Sequence, residues 1–320
     1  MMKNKGFLGL LIALFVAILF YFLLKSDKKS TINKEETEFA VKDTAAIGSV
    51  TITGYLDGKM VGKVYLTKKG NQWWVNEEFK AQNVAVENLL KTIYAIQMRQ
   101  PLHPNAIENV KKLIKKRNVH VIIKNQTGKV LKGYYLGPAT PDTKGNYVIL
   151  EGAENPYIAE IPGFEGYLST RFSANPDVWK DYTLWNFSSD DFHHFELKDK
   201  KQKSIVYILR KKGSYILNNQ VFADSTFLKK MAKNYLKCVA TGPAKPTFPN
   251  AQDSLTKIPA EFTLKVNDKE YLLWSNPYGA YFIVSVKTDE QKRKFFDGEV
   301  MLLQKLTVQR WFMSNTKTEL

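Results

Sequence analysis

The scarcest chemistry-bearing side chains of this 320-residue chain are four histidines and one cysteine. His193 and His194 are adjacent, with Asp190, Asp191 and Glu196 beside them, residue types that suit a metal ion. Their spacing argues against one. Neighbouring side chains on an extended strand point to opposite faces, so the two imidazoles diverge, and a solvent-facing strand start is the expectation. Asp142, Glu151, Glu154, Glu160 and Glu165 share one stretch. Paired carboxylates perform acid–base chemistry when their surroundings push their pKa values apart, but no partner motif accompanies these, and they read as solvated loop acids. Cys238 reads as a small inert thiol on a helix, one position off its buried stripe. Of the other histidines, His103 sits in a Pro-Leu-His-Pro loop and His120 opens a strand. No phosphate-binding glycine loop, nucleophile elbow or zinc-protease motif is present. No catalytic, metal-binding or cofactor-binding residue is therefore assigned.

A different feature points to contact rather than catalysis. Between Pro162 and Phe172 the chain mixes Gly163 and Gly166 with Phe164, Tyr167, Arg171 and Phe172, types enriched among interface anchors. Pro162, Gly163, Phe164, Tyr167, Arg171 and Phe172 are the expected partner surface. The alternative is a local mini-core that joins two modules.

The elements that must hold these residues are mostly strands. Alternating apolar runs cover Val50–Tyr55, Val61–Thr67, Trp73–Asn76, Val119–Lys124, Val130–Leu136, Tyr147–Leu150 and Ile158–Ile161, separated by turns such as Asp57-Gly58 and Lys69-Gly70. Helical spacing joins Val86, Leu89, Leu90, Ile93 and Gln97 in a helix opened by Asn83 and closed before Pro101. A second helix has Ile107, Val110, Leu113 and Ile114 on one face, and Lys111, Lys112, Lys115, Lys116 and Arg117 on the other. The basic face reads as solvated, with a polyanion or lipid-headgroup patch as the alternative.

The motif Leu66-Thr67-Lys68-Lys69-Gly70, followed by Trp73 to Asn76, recurs as Leu209-Arg210-Lys211-Lys212-Gly213 followed by Tyr215 to Asn218. Val86, Leu89, Ile93 and Pro101 then fall on Leu228, Met231, Tyr235 and Pro243, and Val121–Lys124 on Phe262–Lys265. This order of turn, strand, helix, proline and strand implies a duplication. The predicted fold is α+β: an N-terminal transmembrane helix, then two duplicated modules of antiparallel sheet with packed helices, the second with its helix at Leu228–Val239. The predicted domains are an anchor with flanks at 1–29, a tether at 30–44, and modules at 45–185 and 186–320.

Gly6–Leu24 is an uncharged apolar run of 19 residues flanked by lysines. As a helix it would span about 28 Å, roughly one hydrocarbon core. It runs directly into Lys25-Ser26-Asp27-Lys28-Lys29 without a small-residue cleavage site, so it reads as an uncleaved signal anchor. The expectation is a single-pass protein of the inner (cytoplasmic) membrane with a periplasmic C-terminal domain. A net charge of +16 bears on association and not on fold. No nucleic-acid partner is expected.

The run Tyr134 to Gly145 (YYLGPATPDTKG), then Ile161 to Leu168 (IPGFEGYL), with Arg171 and Phe172, resembles bacterial domain-of-unknown-function family 4340 in its Bacteroidetes-type form. The similarity covers about residues 38–310. It implies an N-terminally anchored protein, and similar domains occur in the auxiliary, substrate-binding-like subunit of gliding-motility ABC transporters; the resemblance carries no catalytic residue to this chain. The expected function is a membrane-anchored extracytoplasmic binding or scaffold protein of a bacterial envelope complex. An envelope hydrolase or metal-dependent enzyme, and a lipid or cell-wall polyanion binder, are the alternatives. Protease added to intact spheroplasts is expected to digest residues 38–320; digestion only after lysis would reverse the orientation.

Overall fold

The computed structural model describes residues 14–15, 34–164, 166–223, 232–243, 257–275, 281–287 and 300–313. Apart from Leu14 and Phe15, the expected span Gly6–Leu24 lies outside them. Among the described residues no helix is long and apolar enough to cross a membrane. Contacts divide the chain into two units between Val178 and Trp179. Every strand pairing among the described residues is antiparallel, and the fold is rich in sheet with a few packed helices.

The first unit runs α1 (Lys34–Thr37), β1 (Ile47–Leu56), β2 (Lys59–Lys69), β3 (Gln72–Val75), β4 (Phe79–Lys80), α2 (Asn83–Ala95), β5 (Gln97–Pro101), α3 (Pro104–Lys116), β6 (Arg117–Asn125), β7 (Val130–Ala139), β8 (Asn146–Leu150) and β9 (Tyr157–Glu160). Its strands form one nine-stranded sheet in the order β4-β3-β2-β1-β6-β7-β8-β9-β5. Strict alternation sends Val50, Ile52, Val64, Leu66, Val121, Ile123, Tyr134 and Leu136 to one buried face. α2 buries Val86, Leu89 and Ile93, as its spacing predicts. It ends at Ala95, however, and Gln97 starts an edge strand instead of extending the helix. β5 pairs with β9 through Pro101, which an edge strand tolerates because its missing N–H breaks no inner ladder. α3 begins at Pro104 behind His103, whose ring accepts the Asn105 N–H, and buries Val110 and Ile114.

The second unit runs β10 (Thr183–Asn186), β11 (His194–Asp199), β12 (Ser204–Lys211), β13 (Ser214–Leu217), β14 (Gln220–Ala223), α4 (Ala232–Tyr235), β15 (Lys237–Val239), β16 (Gly242–Pro243), β17 (Phe262–Val266), β18 (Lys269–Ser275), β19 (Tyr281–Lys287), β20 (Met301–Gln304) and α5 (Lys305–Met313). Its main sheet has the order β14-β13-β12-β11-β17-β18-β19-β20-β16. The expected helix Leu228–Val239 needs correction at its C-terminal end. Residues 224–231 lie outside the described set, and Lys237–Val239 form a strand paired with β10. Cys238 therefore sits on a strand, opposite Trp185, where β-sheet pairing overrides the helical spacing.

Matched local structure anchors both sheets. Asn76 and Asn218 take left-handed φ of 51° and 45°, which asparagine tolerates. Their side-chain oxygens accept the N–H of Tyr65 and Tyr207 at 2.9 and 2.7 Å. Counting outward from these turns, Leu66 and Ile208 occupy matching positions, as do their partners Val50 and Phe195. The next core pairs are Ile52 with Val121 and Leu197 with Leu264. Val121 thus corresponds to Leu264 and not to Phe262. On this register the expected match of Leu66 with Leu209 is one residue off, and that of Val121 with Phe262 is two residues off, the latter a shift that keeps each side chain on its face.

The second unit closes around aromatic rings. Trp311 is fully buried, with its ring 5.9 Å from Trp185 and 5.3 Å from Phe195. The indole of Trp185 donates to the Tyr235 carbonyl at 2.8 Å, and the Tyr235 hydroxyl donates to the Trp311 carbonyl at 3.1 Å. Trp311→Ala is expected to cost about 3–5 kcal/mol, read as a lower denaturant midpoint; an unchanged midpoint would refute this account of the core.

Candidate functional site

A cleft of about 740 Å³ opens in the first unit between the β1–β2 hairpin, the start of β6, the end of β7 and residues 167–174. Its walls depend on absent side chains. Gly54 and Gly62 face each other across the hairpin. A Cβ on Gly62 would come within 2.7 Å of the Ala174 carbonyl, and one on Gly54 within 3.1 Å of the Ala174 Cβ. Only this glycine pair lets the chain beyond Phe172 lie against the hairpin. Gly137 does the same for α3, since a Cβ there would meet Ile114 at 2.6 Å.

Asn146 holds the two walls together. It is fully buried; its amide nitrogen donates to the Gly137 carbonyl and its oxygen accepts the Leu168 N–H, each at 2.9 Å. The adjoining loop is clasped by Asp142. The Thr140 hydroxyl, the Arg99 guanidinium and the Lys144 N–H hold its carboxyl well below the usual carboxylate range. Arg99 also reaches Glu160 at 3.5 Å.

The Pro162–Phe172 segment divides in two. Leu168 and Phe172 are core residues, and the Phe172 ring meets Tyr134 edge-on at 5.9 Å. Phe172 is thus fully buried, which corrects its place in the expected partner surface: it fills the sheet face beneath Tyr134. Tyr167 remains 47% exposed and lines the cleft with Ser169, Thr170 and Ser173. Pro162 and Gly163 are exposed, and the Arg171 guanidinium lies 4.7 Å from the half-buried Phe164 ring. The hydrophobic spacing of the segment signals its burial only in part, because glycine turns interrupt any period.

Of the titratable groups flagged by the sequence, Asp142 and Glu160 are brought together on Arg99, and the others lie apart. Glu165 lies outside the described residues. Glu160 belongs to the Arg99 clasp, and Glu151 faces His120 at 3.6 Å. The His120 ring stacks on Tyr135 at 4.2 Å, and burial, partly opposed by Glu151, lowers its pKa. The backbone N–H groups of His193 and His194 both donate to the Asn267 side chain, a polar fold contact. The His193 Nδ1 lies 2.9 Å from the Asp191 carbonyl. Burial lowers the pKa of His194, and burial opposes but does not overcome the Ser204 and Lys198 contacts that hold Glu196 low. Among the described residues no three metal-ligating side chains converge. Cys238 is buried, which pushes its thiol up to about 12 and leaves it a poor nucleophile.

The cleft lining has one charged side chain, Arg117, with two tyrosines, three hydroxyls and aliphatic groups. Among the described residues, no acid–base couple lines it. Asn146→Ala would leave the Leu168 N–H and Gly137 carbonyl buried and unpaired, and is expected to cost about 1–3 kcal/mol or more, seen as reduced thermal stability. An unchanged melting temperature would show that the walls are held otherwise. No family model, no curated protein and no solved structure matches the chain.

Proposed function

We propose that this chain is a membrane-anchored extracytoplasmic binding or scaffold protein of a bacterial envelope complex, and that the cleft beside Tyr167 takes its partner. The composition of the cleft carries the reading. Tyr55, Tyr167, Phe172 and Arg117, residue types enriched at contact surfaces, line it, and no nucleophile or base is held in reacting geometry there. The apolar run Gly6–Leu24 supports the anchor, and the resemblance of Tyr134–Gly145 and Ile161–Phe172 to family 4340 supports the envelope setting.

We further propose that the two sheets are copies of one module. Their strand orders agree element for element, with β5 and β16, each ending in proline, returning to the far edge. The paired turns at Asn76 and Asn218 agree in conformation and hydrogen bonding. The copies differ beyond the strand that pairs with that far edge: β9 leads to the glycine-rich segment that walls the cleft, and β20 leads to α5.

Affinity capture of the full chain from its native membrane tests the partner role. Tyr167→Ala removes an exposed ring without touching the core, so melting should stay unchanged while the co-purifying protein falls at least several-fold. Full recovery of that protein would remove the cleft from consideration.

A further inference from the structure

The tip of the β1–β2 hairpin carries three aliphatic or thioether side chains in water: Leu56, Met60 and Val61 are 44%, 61% and 66% exposed. The turn is the two-residue Asp57-Gly58, with φ of 50° and 74°, and pairing persists to Leu56 and Lys59. The apolar groups are therefore carried on ordered backbone. A Cβ on Gly58 would meet nothing within 4 Å, so the turn is open at that position.

The fold then brings cations to it. The Asp57 N–H donates to the Lys116 carbonyl at 2.6 Å, and Leu56 pairs with Arg117, which seats the C-terminal end of α3 beside the tip. Lys59, Lys63, Lys112, Lys115, Lys116 and Arg117 are all exposed there. Asp57 is the acid on the tip itself, and Glu108, further back on α3, pairs with Lys111 at 3.1 Å.

We propose that the hairpin tip and the end of α3 form a contact site for an anionic lipid surface. Apolar side chains enter the boundary between headgroups and acyl chains, while the surrounding lysines and arginine meet the negative surface potential. An acidic protein would answer the charge equally well, but a narrow projecting tip with exposed Met60 and Val61 suits insertion better than flat packing. The hairpin between β11 and β12 offers a comparison: it carries Lys198, Lys200, Lys201 and Lys203 with no aliphatic residue between Asp199 and Ser204. Charge is present at both tips, and apolar groups join it only at the first. This site shares Leu56, Val61 and Arg117 with the rim of the partner cleft but not Tyr167, so Tyr167→Ala should leave lipid contact intact.

The test uses the full chain in vesicles, with a fluorophore attached through Met60→Cys; Cys238 is buried and escapes labelling in the folded protein. Vesicles contain either phosphatidylglycerol or phosphatidylcholine, each with acyl chains brominated to quench on contact. Quenching is expected in phosphatidylglycerol and should weaken as salt rises above about 0.1 M. Lys115→Glu with Lys116→Glu should reduce it at least about threefold, with melting checked to confirm folding. Leu56→Ser with Val61→Ser, which keeps every cation, should also reduce it. Absence of quenching in either lipid would overturn the proposal. Equal, salt-insensitive quenching in both lipids would overturn it as well, as would shielding of the fluorophore by polyglutamate without lipid as strong as that by vesicles.

Discussion

The ladder between β1 and β6 is the constraint on which the first unit rests. It pairs residues from Ile47 with Asn125 to Leu56 with Arg117, across a connection that holds β2 to β5 and both long helices. Closing so long a loop costs conformational entropy before any contact repays it. The repayment is a continuous apolar face, with Val50 and Ile52 on β1 meeting Leu66 and Val64 on one side and Ile123 and Val121 on the other. Without that ladder the sheet would fall into two meanders, each with a raw edge. β11 and β17 occupy the same position in the second sheet, joined through Phe195 with Val266 and Leu197 with Leu264.

Polar atoms in these cores are handled unevenly. Tyr271 and Tyr134 occupy matching inner positions on β18 and β7, opposite Leu264 and Val121. The Tyr271 hydroxyl donates to the Leu184 carbonyl at 3.2 Å, whereas the Tyr134 hydroxyl is buried without a hydrogen-bond partner. An unsatisfied buried hydroxyl is a cost of about 1–3 kcal/mol, so Tyr134 stays for the packing of its ring against Phe172. Asn146 is the opposite case, a buried amide with both ends occupied, and it ties the walls of the cleft. Packing and polar satisfaction thus converge on the segment that follows β9.

The proposed function draws on surface chemistry at one end of the first sheet. The cleft combines a bare backbone crossing at Gly54 and Gly62 with Tyr55, Tyr167 and hydroxyls, while the neighbouring tip exposes Met60 and Val61 among lysines. Both features lie at the same end of the sheet because Leu56 and Val61 belong to each. A partner held in the cleft would therefore be held next to the surface proposed to meet anionic lipid, which accords with the proposed envelope scaffold.

By itself the sequence determined the strands, their turns and the buried stripe of α2, because these depend on periods of two and 3.6 residues and on glycine or asparagine at positions of left-handed backbone. Those signals are local. The like turns at Asn76 and Asn218 are legible for the same reason. Tertiary structure alone decided which residues meet. The order that places β1 between β2 and β6, the return of β5 to β9, and the end of α3 beside the β1–β2 tip depend on contacts far apart in the chain, where many pairings satisfy the same alternation. The two-residue slip at Val121 shows this ambiguity directly. Phe172 reads in sequence as one aromatic ring among several, and its burial against Tyr134 is a contact between distant parts of the chain that no local pattern encodes.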